Sequence, residues 1–351
     1  MYRLKQLPED FVVQEKSTIN FQSSGRYLYV KLWKKNHTTM DVVRDLAKRL
    51  HVKEKYIGFA GAKDKQAITE QLISLPKVRL EAVKGEIGPH NMGFTLKNVR
   101  LEALGSGDIP ISLGDLAGNN FKIVVRNLSR TDLQKLHLSS AGSLLVSNYF
   151  DEQRFSNHNV SLGRHLVKKE FKEAAALTDE FVAKRHLSEH PTDAIGALKR
   201  IPMRLLKMYV HAYQSYLWNE TLAVFLERQG TVLKTVPYSQ GAFVFVKSFV
   251  GNITDAKVPL LGFNPSLIPD MFAGTAELLL KREGLTWNDF VLKQIPELSL
   301  EGGLRPAFVE VNNFTISPVE NDDLNKGKKK IQLSFFLPKG SYATMVIRAL
   351  F

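Results

Sequence analysis

The chain has 351 residues, no cysteine, 44% hydrophobic and 24% charged residues, and a net charge of +13 from 48 Lys and Arg against 35 Asp and Glu. The lack of thiols excludes disulfides, cysteine nucleophiles, thiolate zinc sites and iron–sulfur clusters. The length exceeds what one small core organises, so two domains are expected. The positive excess points to a polyanionic partner. No apolar run approaches the ~18 residues of a membrane span, and the first ten residues carry no signal-peptide core. A cytoplasmic protein is expected.

In chain order, residues 10–15 and 26–34 alternate apolar and polar side chains and are rich in β-branched and aromatic residues, which predicts two strands. Thr38 or Thr39 can cap a helix running to about residue 51. Val43, Leu46, Ala47 and Leu50 would lie along one side of it, with a solvated basic face opposite. Residues 57–72 begin apolar, break at Gly58 and Gly61, and return to β-branched residues at Ile68 and Thr69, so a loop joins two strands. Within that loop Asp64 stands between Lys63 and Lys65. Neighbouring cations favour an ionised carboxylate, and a glycine lets a ligand come close. Taken alone, a Lys-Asp-Lys triplet reads as a solvated turn with a weak surface ion pair.

Further strands are expected at 68–75, 93–101 and 114–126, the last entered through a glycine-marked loop that contains Asn119 and Phe121. Thr131 and Gln134 fit a capping box for a helix ending near Ser147. From about 158 to 302 the texture turns helical. Leu206, Val210, Tyr213 and Leu217 mark a helix over 203–229, stopped at Gly230. A short β excursion at 241–247 and helices at 272–283 and 286–295 complete this part. Strands return at 307–311 and 330–337, joined through a basic hairpin tip over 325–330 that is either a solvated turn or a phosphate contact.

His186 and His190 fit the H-x-x-E-H spacing of inverted zinc peptidases, but Pro191 follows at once and no acidic third ligand is marked. A surface coincidence is expected there. No phosphate-binding loop or nucleophile elbow occurs.

Several stretches share one resemblance. The spacing of Gly61, Lys63, Asp64, Ala67, Thr69 and Gln71 resembles the signature loop of the TruD family of pseudouridine synthases. Pro8, Glu9, Asp10, Phe11, Val12, Val13 and Glu15 resemble its opening, 211–219 a landmark of its inserted domain, and 336–348 its C-terminus. Residues 148–156 resemble the family's Asn-Tyr-Phe-Gly-x-Gln-Arg-Phe-Gly, with Asp151 and Ser156 in place of the glycines. Ala349 stands where a glutamate is usual.

The resemblance implies an α+β fold: a mixed, mainly antiparallel sheet in a catalytic domain built from 1–157 and 303–351, a mostly helical insert over 158–302, and a basic cleft between them. It implies Asp64 as the catalytic nucleophile, Phe121 stacking on the target base, and Asn119 lining the pocket. Lys63, Gln153, Arg154 and Arg348 are further substrate-site candidates, with Lys63 or Arg348 supplying a cation near Asp64. No cofactor and no metal are expected, since the isomerisation involves no redox change. The implied substrate is tRNA, with uridine 13 of the D arm as target, and the implied state is a monomer. Two other classes fit the same residues: a non-catalytic RNA-binding or chaperone protein, and a carboxylate-dependent nucleoside hydrolase.

Overall fold

The structure is a computed structural model and describes residues 2–77, 96–134, 136, 144–156, 158–249 and 254–351. The chain divides into two compact units: 1–145 with 310–343 and 350–351, and 146–309 with 344–349.

In the first unit the strands are β1 (Phe11–Ser17), β2 (Tyr27–Lys35), β3 (Gly58–Phe59), β4 (Ile68–Pro76), β5 (Val99–Gly107) and β6 (Leu116–Leu128). After β7 (Leu144–Ser147) and the second unit's strands β8 (Gly230–Tyr238), β9 (Gly241–Phe249), β10 (Lys257–Leu260) and β11 (Gly303–Pro306), the first sheet resumes with β12 (Phe308–Ile316), β13 (Glu320–Asn321) and β14 (Lys329–Pro338). Side by side the order runs β5-β2-β4-β1-β6-β14-β12. The β1–β4 pair is parallel, and the others in this run are antiparallel. The sheet is therefore mixed and mainly antiparallel, as the sequence implied.

Register decides what shares a face, because paired residues point the same way and successive residues alternate. Val13 is paired with Phe121 and Glu15 with Asn119, while Lys34 is paired with Thr69. The helix Thr39–Arg49 begins at Thr38, whose hydroxyl accepts from the Asp41 N–H. It packs Val42, Val43 and Leu46 onto Val30, Leu32, Ile73 and Leu75. Arg126 ties remote segments together: its guanidinium donates to Asp10 at 2.9 Å and to Asp322 and Asp323 at 2.9 Å each.

In the second unit the helix Met203–Gln229 is the spine, with Leu206, Val210, Tyr213 and Leu217 wholly buried. Gly163 lets the helix Asn159–Val167 lie against it, since a Cβ there would come within 2.0 Å of the Tyr209 carbonyl oxygen. The Trp218 indole, also buried, donates to the Val258 carbonyl.

Three expectations are corrected. The helix expected to reach Ser147 is described over Arg130–Gln134, residues 135 and 137–143 lie outside the described ones, and Leu144–Ser147 is a strand in which Leu145 is exposed and Val146 buried. The extended stretch expected at 93–101 begins at Val99, because Asn98 takes a left-handed φ of 62° that ends a turn; residues 93–95 lie outside the described ones. The helix expected over 286–295 is a single 3₁₀ turn, Trp287–Phe290. Thr286 and Asp289 cap it, but Val291 is already extended. The short β excursion expected at 241–247 is strand β9, and it pairs as a hairpin with β8, a stretch to which the sequence reading assigned no element.

Candidate active site

The loop bearing Asp64 is held through the Gly61, Lys63 and Asp64 carbonyls and the Lys63 N–H. The Gln71 amide donates to the Gly61 carbonyl at 3.1 Å. The Thr39 hydroxyl accepts from the Lys63 N–H at 3.0 Å and donates to Gln71 at 2.8 Å. Lys34 Nζ donates to the carbonyls of Asp64 at 2.9 Å and Lys63 at 3.3 Å. Gln71 and Thr69 are successive same-face residues of β4, and Thr39 opens the helix packed on that face, so sheet and helix converge on the turn. A Cβ built on Gly61 meets nothing within 4 Å, so this glycine leaves open room beside the loop and is not needed for a close packing contact.

The Asp64 carboxylate is 37% exposed, and its cation is Lys5, with Nζ 2.6 Å from Oδ2. This corrects the expectation that Lys63 or Arg348 plays that part. Lys63 turns to Glu15 at 2.5 Å, a pair whose side chains are only 7% and 1% exposed. The other Glu15 oxygen accepts from the Leu72 N–H at 3.1 Å. Lys63 is thus a structural clamp between the loop and β1. Lys5 Nζ also lies over the Phe11 ring at 4.2 Å, a favourable cation–π geometry. Phe11 meets Phe121 edge-on at 6.2 Å. Asp64, Lys5, Phe11 and Phe121 accordingly form a continuous chain of contacts.

Phe121 is half-buried and also packs on Phe335 at 5.5 Å. Asn119 is opposite Glu15, and its Oδ1 is buried without a hydrogen-bond partner, an acceptor whose desolvation is uncompensated in the free protein. A cavity of about 330 Å³ on the same strands is lined by Gln14, Asn120, Lys122 and Ser334 together with Phe121 and Phe335, and includes no residue of the Asp64 loop.

The remaining candidates lie in the second unit. Gln153 is exposed in the turn Glu152–Phe155. Arg154 lies over the Phe150 ring at 5.7 Å, with its Nε buried and unpartnered. Arg348 donates to Glu152 at 3.0 Å and sits 3.5 Å from Asp151. Asp151, standing where the family pattern has glycine, also accepts from the Thr344 hydroxyl at 2.8 Å. Asp151 and Ser156 have φ of −76° and −58°, so neither position asks for a left-handed residue. Within the 211–219 stretch, Gln214, Ser215 and Asn219 are buried; Asn219 clamps the Phe150 main chain at both its N–H and its carbonyl.

His186 Nε2 donates to the Asp193 carboxylate at 2.8 Å, and among the described residues no group of three or more His, Asp or Glu side chains is placed to hold a metal. Among the same residues no helix is long and apolar enough to cross a membrane. In the basic hairpin, Lys329 bonds Asn321 and Lys330 bonds Asp323, while Lys326 is exposed.

Sequence reasoning missed Lys5, Glu15, Lys34 and Thr39. A signal for Glu15 was present, since it closes the Pro8–Glu15 stretch that resembles the family's opening. Lys34 was a faint one: it occupies an apolar-phase position of its strand. For Lys5, three residues before Pro8, nothing marked the cation.

Burial pushes the Lys34 ammonium down to about 8, opposed by the charge of Asp64, with Lys63 lowering and Asp41 raising it further.

The chain was compared with known proteins. A family model for tRNA pseudouridine synthase D (TruD) matches residues 2–185 and 177–350. The tRNA pseudouridine synthase D of Aquifex aeolicus is 30% identical over 99% of this chain and 98% of its own length. A protein of Methanosarcina acetivorans assigned to the same enzyme is 31% identical over 99% and 91%. The crystal structure of a Methanosarcina mazei protein assigned to TruD superposes with a TM-score of 0.71 at 27% identity, covering 99% of this chain and 93% of that one. With a family model that matches residues 2–185 and 177–350 and a relative 30% identical over nearly its whole length, this chain belongs to the tRNA pseudouridine synthase D (TruD) family.

Proposed function

We propose that this protein is a tRNA pseudouridine synthase in which Asp64 is the nucleophile and uridine 13 of the D arm is the target. The observation that carries the proposal is a half-exposed carboxylate on a rigid loop, paired with Lys5 and two ring contacts from Phe121. Pseudouridine formation breaks the C1′–N1 bond of uridine, turns the uracil and joins C5 to C1′. The C5 hydrogen leaves and N1 gains one, so mass is unchanged. A carboxylate that attacks C1′, or the base at C6, and later departs serves this chemistry. Lys5, 2.6 Å from Oδ2, orients the carboxylate.

The uridine must leave its stack, which costs a few kcal/mol, and the exposed side of Phe121 offers a surface on which it stacks. Asn119 Oδ1 gains a partner if a donor of the base reaches it. The catalytic part is assigned to 1–157 and 303–351 and the insert to 158–302. A cytoplasmic monomer that needs no cofactor completes the reading.

Incubation with unmodified tRNA followed by carbodiimide mapping tests it. Wild type should mark one uridine, and Asp64→Asn should mark none while binding tRNA as before. Full activity in that variant refutes the nucleophile, free uracil in the products indicates a hydrolase, and tRNA binding with no modification by wild type indicates a non-catalytic binder.

A further inference from the structure

Lys34 is a buried ionisable group that the chemistry above leaves unused. Its residue is 0% exposed, and its Nζ meets three main-chain oxygens: His37 at 2.8 Å, Asp64 at 2.9 Å and Lys63 at 3.3 Å. An ammonium has three N–H donors and no acceptor. Each hydrogen therefore has one carbonyl, and a neutral amine would turn a lone pair towards one of them. Burying a charge against carbonyls alone, without a carboxylate bonded to it, is costly, and a methionine would fill the same space without that cost. Two of the three oxygens belong to the proposed nucleophile and the residue before it.

Resting on the functional reading above, we propose that Lys34 is a positioning residue: its ammonium fixes the main chain at Lys63 and Asp64 and so holds the Asp64 carboxylate at the target base, and turnover requires Lys34 to be charged. The charged groups that bear on it are Asp64 and Lys63 in the loop, Asp41 in the first turn of the packed helix, and Lys5, which is bonded to Asp64. Burial, with a smaller push from Lys63, brings its proton loss down to about 8 against the raising charges of Asp64 and Asp41, so turnover should fall as pH rises through about 8.

Stability responds with the opposite sign. Between about 8 and 10.5 the unfolded chain holds a proton that the folded one has lost, so this group makes the fold more stable as pH rises. Titration of Lys34 therefore does not itself unfold the protein over that range.

The test measures kcat and KM on unmodified tRNA across the alkaline range for wild type, Lys34→Met and Lys34→Arg. Lys34→Met should lower kcat about 100-fold, the scale of a small misplacement of a reacting group, with KM unchanged. Lys34→Arg stays charged throughout and should lose the alkaline decline near 8. Wild-type kcat in Lys34→Met, or an alkaline decline in Lys34→Arg identical to wild type, overturns the proposal.

If the variants do not fold, isotope-labelled lysine NMR of wild type decides. A Lys34 titration coinciding with the decline in kcat supports the assignment, and an ammonium that stays charged while kcat falls overturns it. A wild-type chain that forms no pseudouridine at all would instead sink the functional reading.

Discussion

Replacing Lys63 by methionine separates the two roles open to that lysine. The Glu15 carboxylate is 1% exposed and accepts from Lys63 at 2.5 Å and from the Leu72 N–H at 3.1 Å. Removing the ammonium leaves a buried anion with one neutral donor, and breaking a buried pair in this way costs about 3–5 kcal/mol. An independent bound is similar. An ordinary glutamic acid that escapes the problem by taking up a proton at pH 7 costs about 3.7 kcal/mol, and each unit of acidification lightens that by about 1.4 kcal/mol.

The loss is a large part of the ~5–15 kcal/mol that keeps a typical domain folded. Urea unfolding at pH 7 should show it as a lower midpoint at constant slope, and the deficit should shrink by pH 6. Adding Glu15→Gln to Lys63→Met should recover much of the loss, since no charge is then stranded. A single variant as stable as wild type, or a double variant no better than the single, would refute the clamp.

Phe121→Ala should lower kcat/KM by roughly 10- to 100-fold, matching a stacking contribution of about 1–3 kcal/mol, with an unfolding midpoint shifted less than a core aromatic demands; wild-type turnover returns Phe121 to the core. Arg126→Met strands Asp10 and Asp322, whose side chains are 1% and 0% exposed, and should cost about 3–5 kcal/mol in urea titration. Burial opposes ionisation of Asp322, but the Asn127 and Leu324 N–H groups, Asn325 and Arg126 outweigh it and hold the carboxyl at about 2. Its contribution is therefore complete above 3.8 and is lost as pH falls towards 2; acid unfolding of wild type that ignores this window contradicts the assignment. Asp151→Gly restores the family residue yet removes the bond from Thr344 and the charge beside Arg348, so thermal unfolding should reveal a loss of about 1–3 kcal/mol. A glycine variant of equal stability would show that aspartate is idle.

The parts of this protein legible in the sequence are those that depend on neighbours along the chain. Alternation along 10–15 and 26–34 marks β1 and β2 because a half-buried strand has a period of two. The Thr38 cap and the Gly61-to-Gln71 spacing are likewise local, and they located the aspartate. Where locality failed, a tertiary contact overrode it: Leu144–Ser147 is a strand against a helical expectation, and the capped turn at Trp287 does not propagate.

Side-chain pairing was not legible. Asp64 has lysines on both sides in sequence, yet its cation is Lys5, 59 residues away, because Lys63 is drawn off to Glu15 once β1 lies beside β4. Arg126 likewise gathers carboxylates from 116 and 196 positions away. Charge is visible in a sequence, but the partner of a charge follows from strand register and burial. The chain by itself determined that an acid sits at a glycine-opened turn between two strands; only the folded sheet decided which base faces it and which lysine is buried behind it.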